Sequence, residues 1–186
     1  KQGYEIAKSL SKRGFDTTLI SGPTNLKINE DINLIKVETA EQMFKATLKN
    51  LPADIAVFSA AVADYKIKEK RNDKLKKQEN INLSFEQNID ILSYVANHNS
   101  MRPKLVIGFA AETYDVDKNA ILKLKEKNCD WIVANDVSSK NSGFDSDYNK
   151  VTIHYRDPKN KTENLSLKKK SEISEEIVDR IVNQIN

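Results

Sequence analysis

Two segments of this chain share a form that chemistry can use. Ala60-Ala61-Val62-Ala63-Asp64-Tyr65 and Gly108-Phe109-Ala110-Ala111-Glu112-Thr113 each place small side chains directly after an apolar run, then supply one acid. Small side chains let a ligand approach the backbone, whose amides can hydrogen-bond a base or a phosphate. Asp64 or Glu112 can orient a hydroxyl or hold a divalent cation. The same pattern also serves close helix–sheet packing with the acids as helix caps, and spacing alone does not separate the two readings. The run Lys70-Arg71-Asn72-Asp73-Lys74-Leu75-Lys76-Lys77 is the next feature. A lysine on a loop can fold over a polyphosphate and offset its charge as a leaving group forms, although such runs ordinarily face solvent. Lys123 and Lys127 share one helical face and can reach an anion from the side, or form a solvent-facing stripe.

The elements that must position these groups follow from periodicity. Ile6, Ala7 and Leu10 predict a helix ending at Gly14, and Thr17–Ile20 a strand stopped by Ser21-Gly22-Pro23. Asn33–Val37 reads as a second strand, and Thr39 with Gln42 as a capping box opening a helix to about Leu51. Asp54–Ser59, Lys104–Phe109 and Asp130–Asn135 are nearly continuous apolar runs, as expected of strands buried on both faces of a parallel sheet. Between them lie an alternating strand, Ile81–Phe85, placed apart from the main sheet, a helix from about Ile89 to Asn97, and a helix capped by Asp115 or Asp117 that ends near Asn128. A polar loop, Asp136–Asn149, leads to a hairpin of Val151–Tyr155 and Asn164–Leu167, and a last helix covers Ser174–Ile185. Strands alternating with helices predict an α/β fold of Rossmann-like, three-layer form. Its sheet is mostly parallel, with helices on both faces and a small antiparallel hairpin extension.

Composition narrows the function classes. The 186 residues carry 30 Lys and Arg against 27 Asp and Glu, with 39% apolar and 31% charged residues. This is the composition of one globular domain rather than a disordered chain. The lysines are dispersed, which points away from a nucleic-acid surface, and no apolar run or leader pattern suggests a membrane. A cytoplasmic enzyme acting on small molecules is expected. The single cysteine, Cys129, excludes an internal disulfide, and two histidines in unrelated settings exclude a Cys/His zinc site. His98, His154 and Cys129 receive no catalytic assignment. Ligands of an open parallel sheet bind beyond the carboxyl ends of its strands, which selects 21–23, 60–65, 108–113 and 135–137. The first helix has no strand before it, so an N-terminal strand and its phosphate loop are expected to be absent from these residues.

Taken in order, Ala60–Tyr65, Lys74–Lys77, Asn88-Ile89-Asp90-Ile91, Gly108–Thr113, Ala134-Asn135-Asp136-Val137 and Gly143–Asn149 resemble the phosphopantothenoylcysteine synthetases of coenzyme A biosynthesis, in the CTP-dependent bacterial form. The resemblance spans nearly the whole chain. It implies a ligase that activates the carboxylate of 4′-phosphopantothenate with CTP as an acyl-cytidylate, releasing pyrophosphate. Attack by the amine of cysteine then expels CMP. By the same resemblance, Asp64 meets the nucleotide and Mg²⁺ or Mn²⁺, and Lys74 is the catalytic lysine of acyl-cytidylate formation. Ile89, Asp90, Ile91 and Leu92 line the nucleotide pocket, Phe109 packs at the cytidine, Lys123 and Lys127 reach the nucleotide, and Ala60 and Ala61 present backbone that reads the cytosine edge. Ile89 stands where the family usually has proline. A homodimer is implied, as is a fused flavin-dependent decarboxylase half in many bacteria, so FMN belongs only with that half. The family's phosphate loop, with its Asn and Ser-Ser-Gly turn, lies upstream of Lys1, and the 186 residues alone are expected to have little synthetase activity. The alternatives are a nicotinamide-dependent oxidoreductase on a Rossmann sheet and a non-catalytic nucleotide-binding or assembly module.

Overall fold

The apolar runs become strands in the order their hydrophobicity dictates. The structure, a computed structural model, describes residues 1–28, 31–69, 81–137 and 146–185. In chain order the elements are α1 (Gln2–Lys12), β1 (Thr18–Ser21), β2 (Asn33–Lys36), α2 (Ala40–Lys49), β3 (Ile55–Phe58), β4 (Tyr65–Ile67), β5 (Phe85–Gln87), α3 (Ile91–Ala96), β6 (Leu105–Glu112), α4 (Val116–Lys127), β7 (Trp131–Asp136), β8 (Tyr148–Tyr155), β9 (Glu163–Lys169) and α5 (Lys170–Ile185). The main sheet runs β3-β6-β7-β8-β9, parallel across β3, β6 and β7 and antiparallel through β8 and β9. Strands β1 and β2 pair in parallel as a separate two-stranded sheet. The chain therefore has the expected mixed α/β architecture, with a hairpin extending a parallel centre.

Strand alternation divides the core between the two sheet faces. Leu105, Ile107, Trp131, Val133, Val151 and Ile153 meet Ile6, Leu10, Ile173, Ile177 and Ile181, so α1 and α5 cover one face. Val106, Ala110, Ile132 and Ala134 meet Ala96, Ala120 and Leu124, so α3 and α4 cover the other. Gly108 makes that second contact possible. A Cβ there would stand 2.6 Å from Leu92 Cδ2 and 2.8 Å from Ile132 Cδ1. At the amino end of the sheet Asp130 ties the strands together. Its carboxylate accepts from the Val106 amide at 2.8 Å, from Arg102 at 3.0 Å and from Arg156 at 2.8 Å. None of the described helices is long and apolar enough to cross a membrane.

Several boundaries depart from the sequence expectations. Strand β5 begins at Phe85 rather than Ile81, and it pairs antiparallel with β4, which periodicity did not reveal. Three residues are too few for alternation to register, and Tyr65-Lys66-Ile67 takes its conformation from its partner strand. Neither acid caps α4 through its side chain: Asp115 occupies the N-cap position at φ 45° without a cap bond, and Asp117 contacts His154 instead. Strand β8 starts at Tyr148, which shortens the expected loop, and α5 starts at Lys170 rather than Ser174. The Thr39–Gln42 capping box is formed as expected.

Candidate functional site

The carboxyl ends of β1, β3, β6 and β7 form one rim, and α1 begins beside it. Tyr4 donates its hydroxyl to Ser21 Oγ at 2.9 Å at the end of β1. A Cβ on Gly3 would come within 2.5 Å of Ser59 Oγ, just past β3, so a larger residue here would force the Ser59 hydroxyl to turn away from the start of α1. Ala60, Ala61 and Asp64 follow β3 and are exposed to solvent. Asn88 holds the turn around them, its amide donating to the Asp64 carbonyl at 2.8 Å and its side chain to the Ala63 carbonyl at 2.8 Å. The small-residue segment is thus an open, braced loop with one free-standing carboxylate.

Across the rim, Asp90 is the N-cap of α3. One oxygen accepts from the Ser93 amide at 2.8 Å, and the other accepts from Lys127 Nζ at 2.5 Å. The side-chain bond to Asp90 is the chief cause holding the Lys127 ammonium above the usual lysine range, with the charge of Asp64 adding to it. Asp90 and Lys127 thus tie α3 to α4, and Asp64 is near enough to add a small share, after Glu126, to the field at that ammonium. One turn earlier on α4, Lys123 Nζ lies 2.6 Å from Glu112 Oε1 at the end of β6. Ile89 is exposed, Ile91 is buried and seats α3, and Leu92 packs against Gly108. Ile89, Asp90 and Ser93 also line a groove of about 670 Å³ with Tyr94, Asn97 and His98.

Phe109 lies on β6 at the same rim but packs with the α1 and α5 core, on the sheet face away from the two lysines. A ligand meeting both would lie across the edge of the sheet rather than on one face. Lys74 lies outside the described residues. Sequence reading selects 135–137 as a strand-end segment but gives Asn135 no role of its own; among the described residues its Oδ1 is buried without a hydrogen-bond partner where β7 ends, opposite Ala111. An unpaired acceptor at a strand end is costly unless a ligand or water satisfies it. Only that orphaned atom distinguishes Asn135 from a structural asparagine, and it needs the fold to be seen.

One exposed carboxylate such as Asp64 suits only a divalent cation that brings most of its ligands from phosphate and water. Among the described residues no group of three or more His, Cys, Asp or Glu side chains forms a resident metal site. The residues left unassigned in the sequence have structural settings. His154 is buried and bonds Asp117 at 3.0 Å, and His98 accepts from the Met101 amide at 3.1 Å. Cys129 is fully buried, and burial pushes its thiol up to about 11. At pH 8 the native protein should react with a thiol-specific disulfide reagent at less than about a tenth of the unfolded rate, because the thiolate is scarce and covered. Equal rates in the folded and denatured chains would contradict this.

A model of the DNA/pantothenate metabolism flavoprotein C-terminal domain matches residues 1–185. The coenzyme A biosynthesis bifunctional protein CoaBC of Haemophilus influenzae is 40% identical over 184 residues, covering 98% of this chain and 45% of that protein. The protein of the same name in Bacillus subtilis is 36% identical over 184 residues, covering 97% and 44%. A crystal structure of the C-terminal domain of a CoaBC protein superposes with a TM-score of 0.79 at 32% identity, covering 99% of this chain and 82% of that one. A structure of a Cab2 mutant complexed with phosphopantothenate-cysteine has a TM-score of 0.71 at 14% identity, covering 99% and 77%, and shares the fold. The chain spans about 45% of the length of the curated relatives it matches.

Proposed function

The chain belongs to the DNA/pantothenate metabolism flavoprotein C-terminal domain family, and from that premise we propose that it is the synthetase part of a coenzyme A biosynthesis protein. It would join 4′-phosphopantothenate to cysteine at the expense of CTP. The observation that carries this reading is the gathering of Asp64, Asp90, Lys123 and Lys127 at one rim from three separate segments. The reaction brings a triphosphate, a phosphorylated acid and an amino acid together, so cations and amide donors must offset their repulsion. Lys123 and Lys127 stand one helical turn apart and supply two positive charges to one side of a polyphosphate. Asp64 is placed to meet a Mg²⁺ or Mn²⁺ carried in with the nucleotide, and that ion would neutralise charge on the departing pyrophosphate. The open backbone at Ala60 and Ala61 offers amide and carbonyl groups to the cytosine edge, with Phe109 giving an aromatic surface at the same rim. Lys74, on the sequence resemblance, acts at the bond between the α- and β-phosphates.

In the amide-forming step the cysteine amine, once its ammonium has lost a proton to solvent, attacks the activated carbonyl; the C–N bond forms, the acyl C–O bond breaks to release CMP, and the second N–H proton leaves to solvent. The open outer edges of β1 and β3, which are not joined in one sheet, would accept a further parallel strand. The loop at the carboxyl end of such a strand would reach the start of α1, where phosphate-binding amides are expected. A decarboxylase half with its FMN would be carried elsewhere in a longer protein.

The homodimer is supported by the β4–β5 ribbon. Lys66 and Glu86 pair at 3.1 Å on one face, while Tyr65, Ile67 and Phe85 stand exposed on the other. An apolar face of this kind marks an interaction surface, and a second copy covers it in this reading. Replacing Phe85 by Lys should convert a dimer to a monomer in sedimentation velocity, and an unchanged dimer would exclude the ribbon as its interface. For the reaction itself, the full-length protein should be given the acid, cysteine and each nucleoside triphosphate in turn. CTP should be consumed at least tenfold faster than the others, yielding CMP and pyrophosphate in step with the amide. Turnover with ATP alone would overturn the nucleotide assignment.

A further inference from the structure

Lys123 and Lys127 are each met by a carboxylate, but the two pairs differ in construction. Asp90 is already fixed by capping α3 and is well exposed. Glu112 is only 12% exposed at its side chain, whereas Lys123 is 42% exposed. The ammonium thus stands between a sheltered carboxylate and solvent. Glu112 ends β6 on the face that carries Val106 and Ala110, and the parallel register sets Asp136 of β7 opposite it. Its Oε2 accepts from Asn119 Nδ2 at 3.3 Å, and the same amide nitrogen donates to the Tyr114 carbonyl at 3.0 Å. Its Oε1 is buried, has no hydrogen bond of good geometry, and has the Lys123 ammonium 2.6 Å away.

A carboxylate so withdrawn from water, with another acid across the register, needs a cation nearby. A lysine side chain, in turn, has several rotatable bonds and gives up conformational freedom when it is held. The two needs answer one another. Glu112 contacts one side of the ammonium, and the remaining N–H groups of Lys123 are left for an anion arriving at the rim. We propose that Glu112 is a positioning residue that holds Lys123 ready for the polyphosphate of the nucleotide, an inference that rests on the ligase reading above. Asn119 fixes Glu112 to the first turns of α4, the helix that also carries Lys123, so the arrangement is set within one β6–α4 unit.

The test is a double-mutant cycle on the full-length protein, with Glu112→Gln, Lys123→Gln and the double variant. Binding of CTP with Mg²⁺ and of inorganic tripolyphosphate is read by calorimetry, and KM and kcat by pyrophosphate release. Glutamine keeps the shape and an acceptor for Asn119 but removes the charge that holds the ammonium. With Lys123 present, Glu112→Gln should weaken binding of both anions about fivefold and raise the KM for CTP alike, with kcat changed less than about twofold. With Lys123→Gln in place, the same change should alter binding less than about twofold or tighten it, because only a repelling charge is then removed. Glu112→Asp, which keeps the charge, should recover part of the loss. Equal weakening in both lysine backgrounds would mark Glu112 as structural and overturn the proposal, as would unchanged or tighter binding in Glu112→Gln alone. If the unsubstituted protein binds tripolyphosphate with the expected coupling but shows no preference for CTP, the positioning role stands and the nucleotide assignment falls.

Discussion

Replacing Lys74 by Gln should lower the rate of pyrophosphate release from CTP and 4′-phosphopantothenate by about 100-fold to 1,000-fold. Removing one well-placed group that stabilises developing charge has an effect of that order. The sequence resemblance places this lysine at the step where the α–β phosphate bond breaks and negative charge accumulates on the leaving pyrophosphate. A glutamine retains hydrogen-bonding capacity on a side chain one atom shorter but not the charge, so the loss should fall on kcat rather than on the KM for CTP. Lys76→Gln, two positions away in the same basic run, should change the rate less than about threefold, since the resemblance assigns it no part in breaking that bond. Release rates equal to the unsubstituted protein in Lys74→Gln would remove Lys74 from the chemistry and leave Lys123 and Lys127 as the cations to consider.

The second large effect concerns the fold beneath the site. Gly108→Val should destabilise the protein by about 3 kcal/mol, read as a fall in the denaturant midpoint, because it overpacks a core in which Val106 and Ile132 are already buried. The first added carbon would already collide with Leu92 Cδ2 and Ile132 Cδ1, and valine adds two methyls to it. Gly108→Ala should cost about 1 kcal/mol, since the ends of two flexible side chains can yield by a few tenths of an ångström. Relief of the clash would push α3 outward, and with it Asp90, which holds Lys127. In whatever valine variant remains folded, CTP affinity should therefore drop together with stability. A midpoint equal to that of the unsubstituted protein would show that α3 does not pack on β6 as described.

Much of this was legible in the sequence because burial leaves a direct mark on residue type. The runs 104–109 and 130–135 read as central strands because consecutive apolar positions suit strands covered on both faces, and both lie in the middle of the main sheet, whereas the similar run 54–59 forms β3 at the end of that sheet, with Ile55–Phe58 only partly buried. The Thr39 and Gln42 cap was readable because its partners are three residues apart, within the reach of local geometry. Strand β4 was not, because its alternation is too short to see and its partner is twenty residues away. Glu112 and Asn135 illustrate the same limit at the site. The segment of Glu112 was marked by small residues after a strand and that of Asn135 by its place at a strand end, but the pairing of Glu112 with Lys123 and the orphaned oxygen of Asn135 exist only once β6, β7 and α4 are assembled. The expected capping role of the acids before α4 failed because Asp117 bonds a buried histidine from β8, a contact no local pattern encodes. Family membership over residues 1–185 speaks against the nicotinamide-dependent alternative and supports the proposed ligase.

The most direct test omits cysteine. Full-length protein mixed with CTP, Mg²⁺ and 4′-phosphopantothenate, then quenched within one turnover, should release pyrophosphate up to one equivalent per site and yield an acyl-cytidylate that hydroxylamine traps as the hydroxamate. Pyrophosphate release that waits for cysteine, or formation of CDP and inorganic phosphate in its place, would contradict the account.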